Sequence, residues 1–234
     1  MAVNTFRIVH KGKVLAEENL EIVKYETDSY YWTVYTVDLL NKNPKSSYSD
    51  INKKLIISND KSGDTIKFAS NSSQKFKDDY NKAVTHLKDH NVGDIITKLE
   101  KSSTTIMIKE LKTMYNEGAS FDFYNNTIIW NPRQGVWTEN NIIVSPTLIL
   151  NHEADHALIF VEDPEEFYCL LKEEDSQYKT SEEKRVITGS EQRTASALGE
   201  IEADNKTRYD HKGKLIEVES PTSNYLKMPK FDDE

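Results

Sequence analysis

The stretch SPTLILNHEADHALIF, Ser145 to Phe160, decides how this chain is read. Ser145 followed by Pro146 marks a helix start: a side chain able to cap free backbone N–H groups, then a residue whose fixed φ suits the first helical position. The apolar run that follows predicts a helix to about Val161 that stops before Pro164. Within it stands His152-Glu153-Ala154-Asp155-His156. Leu148, Ile149 and Leu150 before this group, and Ala157, Leu158 and Ile159 after it, make the helix a buried one. Two histidines and a glutamate inside such a helix are costly unless something satisfies them.

A metal ion would do so. His152 and His156 are four residues apart, so their rings leave one face of the helix a turn apart. Two imidazoles so placed can hold one Zn²⁺ at about 2.0–2.1 Å each. Glu153 is turned about 100° from His152, where it can take a proton from zinc-bound water. The pattern is the H-E-x-x-H of zinc peptidases. A catalytic zinc needs a third protein ligand and leaves the fourth position to water. One cysteine, Cys169, follows the motif, and the one later histidine is His211. Among the downstream carboxylates, Glu183 and Glu191 sit on a second helical segment and are the best placed. Each also has a plain structural reading. Glu183 stands three residues after Thr180, as in a capping box, and Glu191 follows Ser190 where a helix dipole favours a carboxylate.

The bulk composition limits the alternatives. The chain has 234 residues, a formal net charge of −9 and one cysteine, Cys169. That charge argues against nucleic acid and against anionic membranes, which need clustered Lys and Arg. A single cysteine excludes an internal disulfide framework and a Cys-based zinc site; Cys169 reads as a small apolar helix residue. No apolar run approaches the roughly 20 residues of a membrane span. The N-terminus MAVNTFRIVHKGK lacks the apolar core of a signal peptide. The expectation is a cytoplasmic location in the producing cell, with export left to a specialised system.

The first sixty residues read as β-structure: TFRIVHKG and NLEIVKYET alternate, YYWTVYTVDLL is aromatic and β-branched, and KKLIISND ends in a turn cluster. Lys11-Gly12-Lys13 is a turn candidate, and Tyr30-Tyr31-Trp32 reads as sheet core or edge. Phe76, Tyr80, Val84 and Leu87 recur at helical spacing behind Ser72 or Ser73 as cap. His86 and His90 on that helix read as solvated surface. DIITKLEKS predicts a short helix and TTIMIKEL a strand. SFDFYNNTIIWNP predicts a hairpin turning at Asn125-Asn126; its TIIWNP arm is the candidate sheet edge for an extended substrate. DPEEFYCLLKEED predicts a helix, TSEEKRVITGSEQRTASALGE a helical segment broken near Gly189, and KLIEVES a short strand before a frayed acidic tail.

LNHEADHA, SEEKRVITGSEQRTASALGE and TRYDHKG together resemble the bacterial effector zinc metallopeptidases, which include injected type III effectors and Rhs-type toxin tips. That family shares a Glu-Glu-x-Arg element, a Glu near a Gly, a Leu-Gly-Glu and a late Arg-x-x-Tyr or Arg-x-Asp-His. Here these are Glu182-Glu183-Lys184-Arg185, Gly189-Ser190-Glu191, Leu198-Gly199-Glu200 and Arg208-Tyr209-Asp210-His211. EEKRVITG is also distantly similar to the third-ligand segment of clostridial neurotoxin light chains, Glu-Glu-Leu-Arg-Thr-Phe-Gly-Gly, in which the second Glu binds zinc. The resemblance spans roughly residues 121 to 215. It implies that His152, His156 and Glu183 bind one Zn²⁺, that Glu153 is the general base, and that Arg208 and His211 stabilise the oxyanion, with Tyr209 as a rival donor. His211 stands where those relatives carry Tyr.

The expected fold is α+β: a zincin-like domain at 71–220, its active-site helix packed on a small mixed sheet, between a β-rich region at 1–70 and an acidic tail at 221–234. The expected activity is zinc-dependent hydrolysis of a protein or peptide substrate by a secreted or injected effector or toxin. A secretion apparatus or an immunity protein is the further partner this implies. The alternative is a non-catalytic module held together by a structural metal.

Overall fold

The helix opened by Ser145 forms as its sequence dictates and organises what surrounds it. In the computed structural model, residues 4–10, 13–20, 23–27, 30–34, 65–202 and 205–227 are described. The helix, α3, runs Pro146–Glu162; the Ser145 side chain accepts from Leu148 N–H at 3.2 Å. Fourteen of its residues are buried, from Pro146 to Phe160, as expected of a helix apolar nearly all round.

The chain is mixed α and β and divides into two units, Met1–Ile57 and Ser58–Glu234. In the first, β1 (Asn4–His10) pairs antiparallel with β2 (Lys13–Leu20), and β3 (Val23–Thr27) with β4 (Tyr30–Val34). The KKLIISND segment, Lys11-Gly12 and the Tyr30-Tyr31-Trp32 side chains lie outside the described residues.

In the second unit, β5 (Ile66–Phe68) opens the main sheet, so this strand lies with residues 71–220 rather than with the N-terminal region. Two helices follow, α1 (Gln74–Asp89) and α2 (Asp94–Glu100). Ser73 caps α1 through Phe76 N–H at 3.1 Å. Phe76, Tyr80, Val84 and Leu87 face the core from α1. His86 and His90 meet edge to face, 4.4 Å between ring centroids; His90 is exposed and His86 half-buried.

Strands β6 (Ile106–Glu110), β7 (Ser120–Asp122) and β8 (Thr127–Trp130) complete a four-stranded sheet in the order β5-β6-β8-β7. β5, β6 and β8 run parallel, and β7 returns antiparallel along β8. The turn between β7 and β8 contains Asn126 at φ 49°, a left-handed position that asparagine tolerates. A second antiparallel sheet orders β10 (Ile143–Val144), β9 (Gln134–Trp137) and β13 (Lys214–Glu217). At Gly135 of β9 a Cβ would stand 3.0 Å from the Val144 carbonyl oxygen and 3.1 Å from the Val218 side chain, so any larger residue would crowd these strands.

The core lies where α1, α2 and α3 meet the main sheet. Trp130 is wholly buried there, 5.8 Å from Phe76 between ring centroids. Its indole N–H donates to the Pro146 carbonyl at 2.8 Å, which fixes the start of α3 to the sheet. The other tie on that first turn comes from the tail. The Pro221 carbonyl accepts from Thr147 N–H at 2.9 Å and from the Thr147 hydroxyl at 2.8 Å. Val218 bridges Leu226. The tail expected to fray is thus held on the body as far as these residues.

After α3 come α4 (Pro164–Lys172), a small hairpin of β11 (Glu174–Asp175) and β12 (Lys179–Thr180), then α5 (Ser181–Val186) and α6 (Gln192–Ala197). The expected break near Gly189 is instead one wide π-helical turn, Ile187–Glu191, joining α5 to α6 without interruption. Cys169 lies on α4 and is exposed. Among the described residues, no helix is long and apolar enough to cross a membrane.

Candidate metal centre

Helix α3 presents His152, Glu153 and His156 to a cleft of about 330 Å³. Each imidazole is gripped from behind. His152 Nδ1 meets Glu191 Oε2 at 2.8 Å, and His156 Nδ1 meets Glu182 Oε1 at 2.9 Å. A carboxylate accepts only, so each Nδ1 carries the proton and each Nε2 points forward. The two Nε2 atoms converge to 3.1 Å. Glu183 closes the triangle, its Oε2 3.3 Å from His152 Nε2 and its Oε1 3.7 Å from His156 Nε2.

Ligands at about 2.0–2.1 Å in a tetrahedron lie about 3.3 Å apart, so this spacing suits one ion. Glu183 Oε2 is buried without a hydrogen-bond partner, which is the state a metal ligand needs. Two imidazoles and a carboxylate are a donor set suited to zinc and to other divalent metals of its row. Among the described residues, His152, His156 and Glu183 form a group whose ligand atoms all lie within 4.8 Å of one another.

Thr180 caps α5 by accepting from Glu183 N–H at 3.2 Å. The capping reading of Glu183 therefore describes its backbone, while its carboxylate serves the cluster. The wide turn that follows brings Glu191 to α3. Such turns add a residue to a helix and recur at functional sites. Glu191 sits behind His152 rather than beside Glu183, so of the two expected candidates Glu183 is the one in the ligand triangle.

Both backing carboxylates are held by arginines. Arg185 Nε and Nη2 each reach Glu182 at 2.8 Å, and Nη1 reaches Asp155 at 3.1 Å. Ser190 also donates to Asp155. Arg208 donates from Nε to Glu191 Oε1 at 3.0 Å and from Nη2 to Glu191 Oε2. Arg208 lines the cleft, yet its strongest contact is with this carboxylate; it stabilises the support of His152 whatever else it does. His211 also lines the cleft, with Nε2 3.4 Å from Glu183 Oε2. Tyr209, the rival donor, is 56% exposed and is not among the cleft's lining residues.

The roles of Glu182, Arg185, Asp155 and Ser190 were not read from the sequence. The i, i+3 spacing of Glu182 and Arg185 and their place in the Glu-Glu-x-Arg element are the available signals, and neither says what the pair holds. The loop carrying Arg208 and His211 is pinned in the same way by side chains with no obvious motif. The Gln192 amide holds Asn205 and Thr207, Asn140 holds Lys206, and His211 N–H donates to the Gln177 carbonyl at 3.1 Å.

Charge follows from this packing. Burial disfavours charged histidines here, but Glu183 and Glu191 outweigh it and raise His152 above its ordinary value. Against the same burial, Glu182 and Glu183 raise His156 to about 10. Burial also opposes ionisation of Glu191, but Arg208 and His152 hold it down at about 2. Glu153 is pushed up by burial, against the pull of His152 and His156. Without metal, then, His156 is protonated at neutral pH, and a metal must displace that proton. Zinc titration of the stripped protein at pH 7.5, in buffers of different ionisation enthalpy, is expected to release at least one proton per ion. The affinity is expected to fall as pH falls; one that is independent of pH would contradict this electrostatic picture.

Leu198-Gly199-Glu200 has a separate task. Gly199 takes φ +71° just past α6, as a helix C-terminus favours. Glu200 then accepts from Ser145 N–H at 3.0 Å and from the Ser145 hydroxyl, bracing the residue that caps α3. Burial raises this carboxyl from 4.5 to about 7, with the Ser145 hydrogen bonds opposing. Between those values the folded chain binds more protons than the unfolded chain. The stability from this group is therefore full below pH 4.5 and is lost as pH rises through 7, by up to about 3 kcal/mol. Glu200→Gln removes the titration. In urea unfolding of the metal-stripped protein, its stability relative to wild type is expected to rise between pH 5 and pH 8.

The expected substrate edge needs correction. TIIWNP supplies β8, which is paired on both sides, with β6 and β7. The end strand beside the cleft is β7, and Gly118, Ala119, Ser120 and Phe121 line it. Comparison of the chain with protein-family models, with curated proteins and with solved structures gives no match.

Proposed function

We propose that this chain is a zinc-dependent endopeptidase. One observation carries the reading above all. Three ligand atoms converge, among them a buried carboxylate oxygen that makes no hydrogen bond, while Glu153 faces the same cleft outside the ligand group. A purely structural site has no use for such a carboxyl. Bound by His152, His156 and Glu183, Zn²⁺ supplies a Lewis acid that polarises a carbonyl and acidifies water.

The chain's own groups do the rest. Glu153 takes a proton from water as its oxygen adds to the carbonyl carbon of the scissile bond. It then delivers that proton to the amine nitrogen as the C–N bond breaks, leaving an amine and a carboxylic acid whose remaining proton is lost to water or to the amine. His211 and Arg208 face the cleft from the opposite loop, where a hydrogen bond and a positive charge favour the oxyanion. The substrate lies extended along the end strand β7 and pairs with its backbone. The fold this implies is zincin-like, with α3 as the active-site helix. The likeness of its motifs to those of the effector family supports a secreted or injected effector or toxin that acts on a protein of the recipient.

The test is cleavage of a mixed peptide library by the zinc-loaded chain, read by mass spectrometry. Internal cuts that disappear on chelation and return with zinc support the reading. A zinc-loaded chain that cuts nothing, in peptides or in unfolded proteins, overturns it.

A further inference from the structure

Beside the metal group the cleft has an apolar wall. Phe121, Phe123, Phe167 and Leu171 line it. Its floor is an aromatic cluster fixed by edge contacts. Ring centroids lie 5.7 Å apart for Phe121 and Phe160, 5.3 Å for Phe160 and Phe167, and 5.6 Å for Phe123 and Phe167. Phe160 and Phe167 are buried, 9% and 3% exposed. Phe121, Phe123 and Leu171 are only partly buried, and it is they that offer open apolar surface to the cleft.

The position of this floor is set by α3. Phe160 follows His156 by four residues, so it stands on nearly the same face, about 6 Å further along the helix. Successive residues of an extended peptide advance about 3.3 Å. A chain laid along β7 with one carbonyl at the metal group therefore brings a side chain one or two residues away onto the wall. A charged side chain there would lose its hydration to phenyl rings, whereas a large apolar one would be buried.

Resting on the peptidase reading, we propose that Phe121, Phe123, Phe167 and Leu171 form a specificity subsite that selects a large aliphatic or aromatic side chain within two residues of the scissile bond.

The test need not depend on turnover. Two small hydroxamates, which chelate the metal, are titrated calorimetrically into the zinc-loaded chain. One carries an isobutyl or benzyl side chain beside the chelating group, and the other carries none. The apolar compound is expected to bind about 10- to 100-fold more tightly. Phe123→Ala, in the turn after β7, and Leu171→Ala, on α4, are each expected to shrink that ratio severalfold while leaving the bare hydroxamate's affinity and the zinc content unchanged. Equal binding of the two compounds to wild type overturns the proposal, as does a preference that persists in both variants. The two readings fail differently. Discrimination between hydroxamates without any peptide cleavage sinks the peptidase and keeps the subsite. Peptide cleavage with no apolar preference near the cut, together with equal hydroxamate binding, does the reverse.

Discussion

Glu153→Gln is expected to keep its zinc and lose about 10²- to 10⁴-fold in the rate of peptide hydrolysis, the range that a positioned acid–base group supplies. The substitution is nearly isosteric. Glu153 is 8% exposed, sits on α3 between the two histidines and lines the cleft, yet it is not one of the three grouped ligands. An amide there cannot take a proton from water. Binding and folding are expected to survive because nothing in the ligand triangle changes. Kinetics on the best library peptide, with zinc content measured on the same sample, checks this. A variant that loses zinc along with activity would make Glu153 a ligand or a structural group, and full activity would remove it from the chemistry.

The second large effect separates the two glutamates that the sequence leaves open. Glu183→Ala removes a ligand atom and is expected to reduce zinc affinity well beyond the loss in Glu191→Gln. For Glu191→Gln the expected loss is about 10- to 100-fold, the usual effect of weakening a group that orients a metal-binding histidine. Glutamine is the better choice at 191 because alanine would leave Arg208 buried and unpaired, at a cost of about 3–5 kcal/mol to the fold. Competition titration against a zinc chelator measures both. The reverse order, with zinc surviving Glu183→Ala and lost in Glu191→Gln, would place Glu191 in the ligand triangle.

What the sequence shows and hides follows from the range of each interaction. The cap at Ser145, Pro146 at the first turn and the four-residue spacing of His152 and His156 are local, so helix α3 and half of the centre are legible directly. The hairpin of β7 and β8 is local too. Which strand ends the sheet is not, because the parallel pairing of β8 with β6 joins residues some twenty apart and has no local signature. The same holds for the backing groups. Glu182, Arg185 and Glu191 look like an ordinary charged helix until α5 and the wide turn dock against α3. Read locally, Glu183 looks like a capping residue and Glu191 like a first-turn carboxylate, but α5 runs through the wide turn into α6 and leaves Glu191 no helix start, so only tertiary packing tells the grouped carboxylate from its neighbour. The tail looked free because the tie from Pro221 to Thr147 runs through a backbone carbonyl, which no side-chain pattern announces.

The central claim is that His152, His156 and Glu183 hold one metal ion whose shell stays open on the cleft side. His211 is the residue that could close it, since its Nε2 stands 3.4 Å from Glu183 Oε2. X-ray absorption at the zinc edge of the reconstituted protein, compared with the His211→Ala variant, reads this most directly. The expected shell has two imidazole nitrogens at about 2.0–2.1 Å, a carboxylate oxygen and an exchangeable oxygen, and it is the same in the variant. A third imidazole in wild type that vanishes in His211→Ala would mean a closed, four-ligand structural site and would contradict the account.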